Sequence, residues 1–211
     1  MAPAHSLPVQ LTSFVGREEE QADVRRLLAV TRLLTLIGAG GVGKTRLALR
    51  VAESLVDEYP GGVWAVELAP LGDDALVPQA VAAALALREV PGQTLIDTLA
   101  AALRDTRHLL VLDNCEHLVP SCATLVERLL RDCPLIRIVA TSREALAIAG
   151  ETAWRVPSLS LPDLPAGASS ECFDRSEAIE LFVERARAVL PSFALTGDNG
   201  PAVAEVCRRL D

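Results

Sequence analysis

Short apolar runs alternate along the chain with longer amphipathic ones, and glycine and proline breaks separate them. Val24, Leu27 and Leu28 share one face of a helix predicted from Glu18 to Val30, which follows the Gly16 break after Phe14 and Val15. Leu33 to Ile37 reads as a strand that runs into glycine-rich sequence, and Leu47, Val51, Leu55 and Val56 then predict a helix from Thr45 to Tyr59. A second strand, Val63 to Leu68, lies between Pro60-Gly61-Gly62 and Pro70 with Gly72. Two Ala/Leu-rich helices follow, near Leu76 to Leu87 and Thr94 to Arg104, with Pro91 and Gly92 between them. Next come a strand from His108 to Leu112, a helix near Ser121 to Arg131, a strand from Ile136 to Ala140 and a last strand at Thr152 to Val156. This alternation predicts an α/β fold whose mostly parallel, roughly five-stranded sheet is flanked by helices.

The pattern changes near residue 160. Pro157, Pro162 and Pro165 with Gly167, Ser169 and Ser170 read as a linker, placed at 161–175 after a first domain at 1–160. Ala178, Leu181, Phe182 and Ala186 resume helical spacing from Ser176 to Leu190, and another helix begins at Pro201 and runs to Leu210 without a capping signal. Residues 176–211 therefore read as the truncated beginning of a helical subdomain.

Half of the 211 residues are apolar, enough for a packed core, whereas the formal net charge of -8 argues against direct nucleic-acid binding by this segment. No apolar run approaches membrane-spanning length and residues 1–10 lack a signal-peptide pattern, so the expected location is the cytoplasm, away from membranes. Cys115, Cys122, Cys133, Cys172 and Cys207 form no C-x-x-C pair and read as buried reduced thiols.

One stretch carries specific chemistry. Gly38-Ala39-Gly40-Gly41-Val42-Gly43-Lys44-Thr45 fits G-x-x-x-x-G-K-[ST] between a predicted strand and a predicted helix, the context this phosphate loop requires. Glycines let the backbone amides turn toward phosphate oxygens, and the helix start adds partial positive charge. Lys44 is then expected at the β and γ phosphates of a nucleoside triphosphate, with Thr45 as a ligand of Mg2+. Asp113, after the apolar Leu109 to Leu112, is the candidate carboxylate for the same metal, possession of a turn-forming Asp being the alternative.

Asn114 can orient a water but cannot take its proton, which predicts slow turnover. Glu116 is a candidate base, the alternative being a solvated acid beside His117. Arg143, after the strand ending at Ala140, is a candidate γ-phosphate sensor, the alternative being a helix-start residue paired with Glu144 or Glu151. No N-K-x-D or T-K-x-D element for guanine is present, which favours ATP or ADP, and His5, His108 and His117 suggest no metal site.

Phe14-Val15-Gly16-Arg17-Glu18, the loop Gly38 to Thr45, Leu109 to Leu118 and Val139 to Leu146 together resemble the STAND class of signal-transduction ATPases. Within it the chain is most similar to the NB-ARC-type module of large bacterial transcriptional regulators of the AfsR/SARP and LuxR-like kinds. The resemblance implies that Val15, Gly16 and Arg17 lie against adenine, that Arg46 helps hold the α-phosphate and that Arg143 contacts the γ-phosphate. It further implies clamping of ADP at rest, and self-association upon ATP exchange, under the control of other domains of the full-length protein. Many relatives have a second acid where this chain has Asn114, and the chain ends before the family's G-L-P-L element and winged-helix histidine. The leading expectation is a slow regulatory ATPase; a binding-only nucleotide module and a metabolic P-loop enzyme such as a small-molecule kinase are the alternatives.

Overall fold

The computed structural model describes residues 5–161 and 176–210. The proline-rich stretch from Pro162 to Ser170, most of the expected linker, and Cys172 lie outside the described residues. Contacts divide the chain into two units, one containing residues up to 11 with 19–156, the other 12–18 with 157 onward. Residues 12–18, grouped with 1–160 in the sequence reading, thus belong to the second unit.

In the first unit, β1 (Leu33–Ile37), β2 (Gly62–Glu67), β3 (His108–Asp113), β4 (Arg137–Ser142) and β5 (Glu151–Arg155) form one five-stranded sheet, all neighbours parallel, in the order β2-β3-β4-β1-β5. The expected parallel α/β sheet is therefore present. Leu109 to Leu112 are all buried, with Leu110 and Leu112 in the cluster formed by the helices over one face. Leu109 and Val111 point the other way and are equally buried, so both faces are covered, as a continuous apolar run requires.

The helices are α1 (Glu18–Val30), α2 (Lys44–Ser54), α3 (Val77–Ala84), α4 (Leu95–Leu103) and α5 (Val119–Asp132). α2 buries Leu47, Ala48, Val51 and Ala52. It stops short of the expected Tyr59 because Leu55 leaves helical geometry at φ -106°, ψ 0°, and a 3-10 turn, Val56–Glu58, follows. α3 stops at Ala84, before the expected Leu87. There Ala86 adopts φ 54°, the Leu87 N–H donates to Ala82 O (2.9 Å) and the Ala86 N–H to Ala83 O (3.0 Å), which is a Schellman closure built on alanine. β4 begins and ends later than expected, at Arg137 and Ser142.

In the second unit, α6 (Glu177–Val189) and α7 (Gly200–Leu210) pack through Ile179, Val203, Ala204 and Cys207, with Phe182 edge-to-face on Phe193 at 6.1 Å. Ser176 caps α6, its hydroxyl accepting from the Ile179 N–H. Among the described residues, no helix is long and apolar enough to cross a membrane.

Candidate functional site

The loop from Gly38 to Gly43 joins β1 to α2. Gly41 and Gly43 take φ 85° and 93°, a region where a side chain would be strained, and Gly43 caps α2 without any side-chain bond. No acidic residue lies in the first turn of α2, so its amides face outward with their partial positive charge unopposed by a carboxylate of that turn. Lys44 is 8 % exposed, and its Nζ donates to the carbonyls of Gly38 (3.0 Å) and Ala39 (2.9 Å), which folds the cation back over its own loop. Beyond Gly40, where an added Cβ would lie 3.6 Å from Arg143 Nη2, stands the guanidinium from the end of β4.

β4 lies between β1 and β3, so the carboxylate from β3 reaches the loop past the tip of an intervening strand. Leu112 pairs with Ala140, which sets Asp113 beside Thr141. Asp113 Oδ1 accepts two hydroxyl bonds, from Thr45 Oγ1 and from Thr141 Oγ1, both at 2.6 Å. Thr141, 1 % exposed, also accepts the Asn114 N–H at 2.9 Å. Its hydroxyl is therefore the hub that fixes both residues at the β3 tip, a part that the sequence reading missed. Its role is set by the pairing of β3 with β4, which no local signal in the sequence states.

After Asp113 the chain turns sharply. Asn114 adopts φ 68°, which asparagine tolerates better than most residues, and a 3-10 turn, Cys115–His117, follows. That turn aims Glu116 inward: its side chain is 16 % exposed, and Oε1 accepts from Arg143 Nε at 3.2 Å. Glu116 Oε2 is buried with no hydrogen-bond partner among the described residues. Arg143 thus pairs with Glu116 instead of Glu144 or Glu151; Glu151 accepts the N–H groups of Leu146 and Ala147. His117 instead faces the Leu71 carbonyl, 3.0 Å from Nε2.

The structure brings Lys44, Thr45, Asp113, Asn114, Glu116 and Arg143 together at the carboxyl edge of the sheet, with Gly38, Gly40, Gly41, Val42 and Gly43 forming the loop and Arg46 in the first turn of α2. Val15, Gly16 and Arg17 belong to the second unit. There Gly16 (φ 65°) and Arg17 (φ 64°) wrap onto the start of α6. The Arg17 N–H donates to Glu177 Oε1 (2.5 Å), Arg17 Nη2 donates to Pro157 O (3.0 Å) and the Ser160 N–H donates to Glu177 Oε2 (3.0 Å). Burial opposes ionisation of Glu177, but the Ser160 and Arg17 amides win and hold its carboxyl below the usual range.

Among the described residues no group of three or more His, Cys, Asp or Glu could cage a metal ion. A hydroxyl and a single carboxylate in contact, beside a buried ammonium and an uncapped helix start, instead suit a hydrated Mg2+ shared with phosphate oxygens. Cys115, Cys122, Cys133 and Cys207 are buried free thiols, and a hydrogen bond with Cys122, then burial, pushes the Cys115 thiol well up, which keeps it an inert neutral group although it sits between Asn114 and Glu116.

A parallel five-stranded sheet with this loop after β1 and this carboxylate after β3 defines a P-loop NTPase fold of the AAA kind. Residues 29–149 match the AAA domain family, and the chain belongs to it. Among known proteins, the chain is 47% identical over 207 residues to the uncharacterized protein Rv0894 of Mycobacterium tuberculosis, covering 98% of this chain and 49% of that one. It is 46% identical over 188 residues to Rv0890c of the same organism, which carries the name of an HTH-type transcriptional regulator, covering 89% of this chain and 20% of the relative. The regulatory protein AfsR of Streptomyces griseus is 31% identical over 142 residues, 57% of this chain and 15% of its own length. The chain spans about half the length, or less, of the curated relatives it matches.

Among solved structures, the Walker-type ATPase PABY2304 of Pyrococcus abyssi superposes with a TM-score of 0.60 at 13% identity, over 96% of this chain and 66% of that one. The STAND protein PH0952 of Pyrococcus horikoshii, which has a tetratricopeptide repeat sensor, gives 0.52 at 14% identity, over 96% of this chain and 28% of that one. Both likenesses concern the fold.

Proposed function

We propose that this chain is the ATP/ADP-binding regulatory module of a larger transcription-regulatory protein, a slow Mg2+-dependent ATPase of the STAND type. The observation that carries the reading is the 2.6 Å bond from Thr45 Oγ1 to Asp113 Oδ1, which joins the end of the phosphate loop to the carboxylate two strands away. The names of Rv0890c and AfsR support a regulatory setting.

In this reading the amides of Gly40 to Gly43 and the start of α2 receive the phosphate chain of ATP, with Arg46 beside the α-phosphate. Lys44 exchanges its two carbonyl partners for β- and γ-phosphate oxygens. Thr45 and Asp113 would hold Mg2+, which would supply positive charge against the phosphates. Arg143 leaves Glu116 for the γ-phosphate, a better partner for a guanidinium. Asn114 orients the attacking water, and the unpartnered Glu116 Oε2 is the acceptor for its proton. Nucleotide exchange then governs self-association of the full-length protein. A binding-only module is the second reading, favoured by an amide at Asn114 and by a Glu116 already tied to Arg143.

Nucleotide binding by Lys44→Ala and Asp113→Ala, with single-turnover hydrolysis, tests the proposal. Lys44→Ala should weaken ATP by about a hundredfold, the ~3 kcal/mol of a charge-assisted contact, and Asp113→Ala should remove the Mg2+ dependence. Unchanged ATP affinity in Lys44→Ala would sink the assignment of the loop. Hydrolysis unaltered in Asp113→Ala would sink that of the metal.

A further inference from the structure

At the amino-terminal end of the sheet a second feature runs against the charge of the chain. A cavity of about 410 Å3 in the first unit is lined by Arg25 and Arg26 of α1, Tyr59 after α2, Arg107 before β3 and Arg137 at the start of β4. Glu58 is the one carboxylate among its lining residues. Four guanidiniums around one opening reverse the local sign in a chain whose net charge is -8.

These charges are not equally satisfied. Arg25 takes Glu58 at 2.9 Å and also donates to Ser54, and Arg26 takes Asp23 at 2.7 Å. Arg107 and Arg137 have no carboxylate partner among the described residues. Arg107 lies over the Tyr59 ring, 5.4 Å from its centroid, and Arg137 Nη1 donates to the Thr31 carbonyl at 3.1 Å, which uses one N–H and neutralises nothing. Tyr59 is 3 % exposed, and its hydroxyl makes no hydrogen bond among the described residues. Burial raises the phenol while Arg137 and Arg107 pull it down; burial wins, so the hydroxyl stays a donor at neutral pH. Three separate chain segments thus line one cavity with Tyr59, Arg107 and Arg137, and neither arginine meets a carboxylate among the described residues.

We infer that this cavity is an anion-binding site, separate from the P-loop, for a small ligand bearing a phosphate group held by Arg107, Arg137 and the Tyr59 hydroxyl. Planar guanidinium forks match phosphate oxygens in pairs, which favours phosphate over a lone halide. The volume falls in the range of small-molecule sites and exceeds that of the bare ion, so a phosphate monoester with a small organic part fits it. β3 spans six residues, which sets its two ends about 17 Å apart and keeps this ligand clear of Asp113.

Calorimetric titration with inorganic phosphate and with ribose 5-phosphate, at ionic strength matched with sodium chloride, tests the inference on wild type, Lys44→Ala and Arg107→Gln. The exposed position of Arg107 keeps that variant folded, which retained ATP binding at the P-loop verifies. Both probes are expected to show, in wild type and Lys44→Ala alike, one site that weakens at least about tenfold in Arg107→Gln, any second site in wild type being the P-loop. Tighter binding of the ester identifies a monoester as the occupant, and equal binding identifies the free ion. Absence of binding above the chloride control, or binding lost in Lys44→Ala but kept in Arg107→Gln, would overturn the proposal without touching the reading of the P-loop.

Discussion

Thr141→Val is the most direct probe of how the site is held together. The substitution keeps shape and removes one hydroxyl from a position that is 1 % exposed. Two interactions go with it: the 2.6 Å donation to the Asp113 carboxylate and the 2.9 Å acceptance of the Asn114 N–H. A hydrogen bond to a charged group contributes about 1.5–3 kcal/mol, and an orphaned buried N–H costs about 1–3 kcal/mol, so a net loss of about 3 kcal/mol is expected. For a chain of this size that lowers the midpoint of thermal unfolding by about 6–12 °C. Thr141→Ser keeps the hydroxyl and loses one buried methyl, which should cost only about 1 kcal/mol. Circular dichroism melts of the three proteins decide the matter. If Val and Ser variants melt together, or Val costs less than about 0.5 kcal/mol, the hydroxyl is not the hub described above.

Two further predictions concern places away from the phosphate loop. His108 is 7 % exposed, accepts from Trp64 Nε1 at 3.3 Å through Nδ1, and is held by burial below its ordinary 6.5. Because the unfolded chain then binds more protons, stability should be full above about pH 6.5 and fall as pH drops toward the folded-state value; His108→Gln should flatten that slope in urea melts between pH 7.5 and 5.5, and an unchanged slope would refute it. In the second unit, a Cβ on Gly16 would lie 2.4 Å from Glu177 Oε1, and Glu177 is pinned by the Arg17 and Ser160 amides. With φ at 65°, Gly16→Ala should destabilise by about 2 kcal/mol or more by urea titration, and a neutral result would mean that this wrap is not fixed.

What the sequence disclosed and what it withheld follow from the range of each interaction. β3 was legible because Leu109 to Leu112 are buried on both faces and so leave an unbroken apolar run. The loop from Gly38 to Thr45 was legible because its chemistry is contiguous and sits where strand meets helix. The strand order was not, since nothing local states that β4 lies between β1 and β3. Thr141 was missed for the same reason, its role being set by the pairing of Leu112 with Ala140. The Glu177 anchor of Arg17 lies 160 residues away along the chain. Helix ends failed for a different cause, at Ala86, where an alanine occupies the left-handed position that sequence rules reserve for glycine.

The ion pair between Arg143 and Glu116 bears on which reading of the site is energetically easier. Its separation is 3.2 Å, and the Arg143 side chain is 69 % exposed, so water screens it and it contributes at most about 1 kcal/mol. A phosphate dianion offers a guanidinium two parallel charge-assisted bonds, each stronger than a neutral one, so exchange of Glu116 for a γ-phosphate is downhill in the proposed reading. In that reading Glu116 keeps its inward position, because the turn after Asn114 and not Arg143 directs it, and its Oε1 is released alongside the already unpartnered Oε2. Both effects issue from one residue just beyond the β4 tip, two positions after the Thr141 that holds Asp113. That shared origin favours a switch whose hydrolytic groups are readied by the nucleotide over a site poised in its absence.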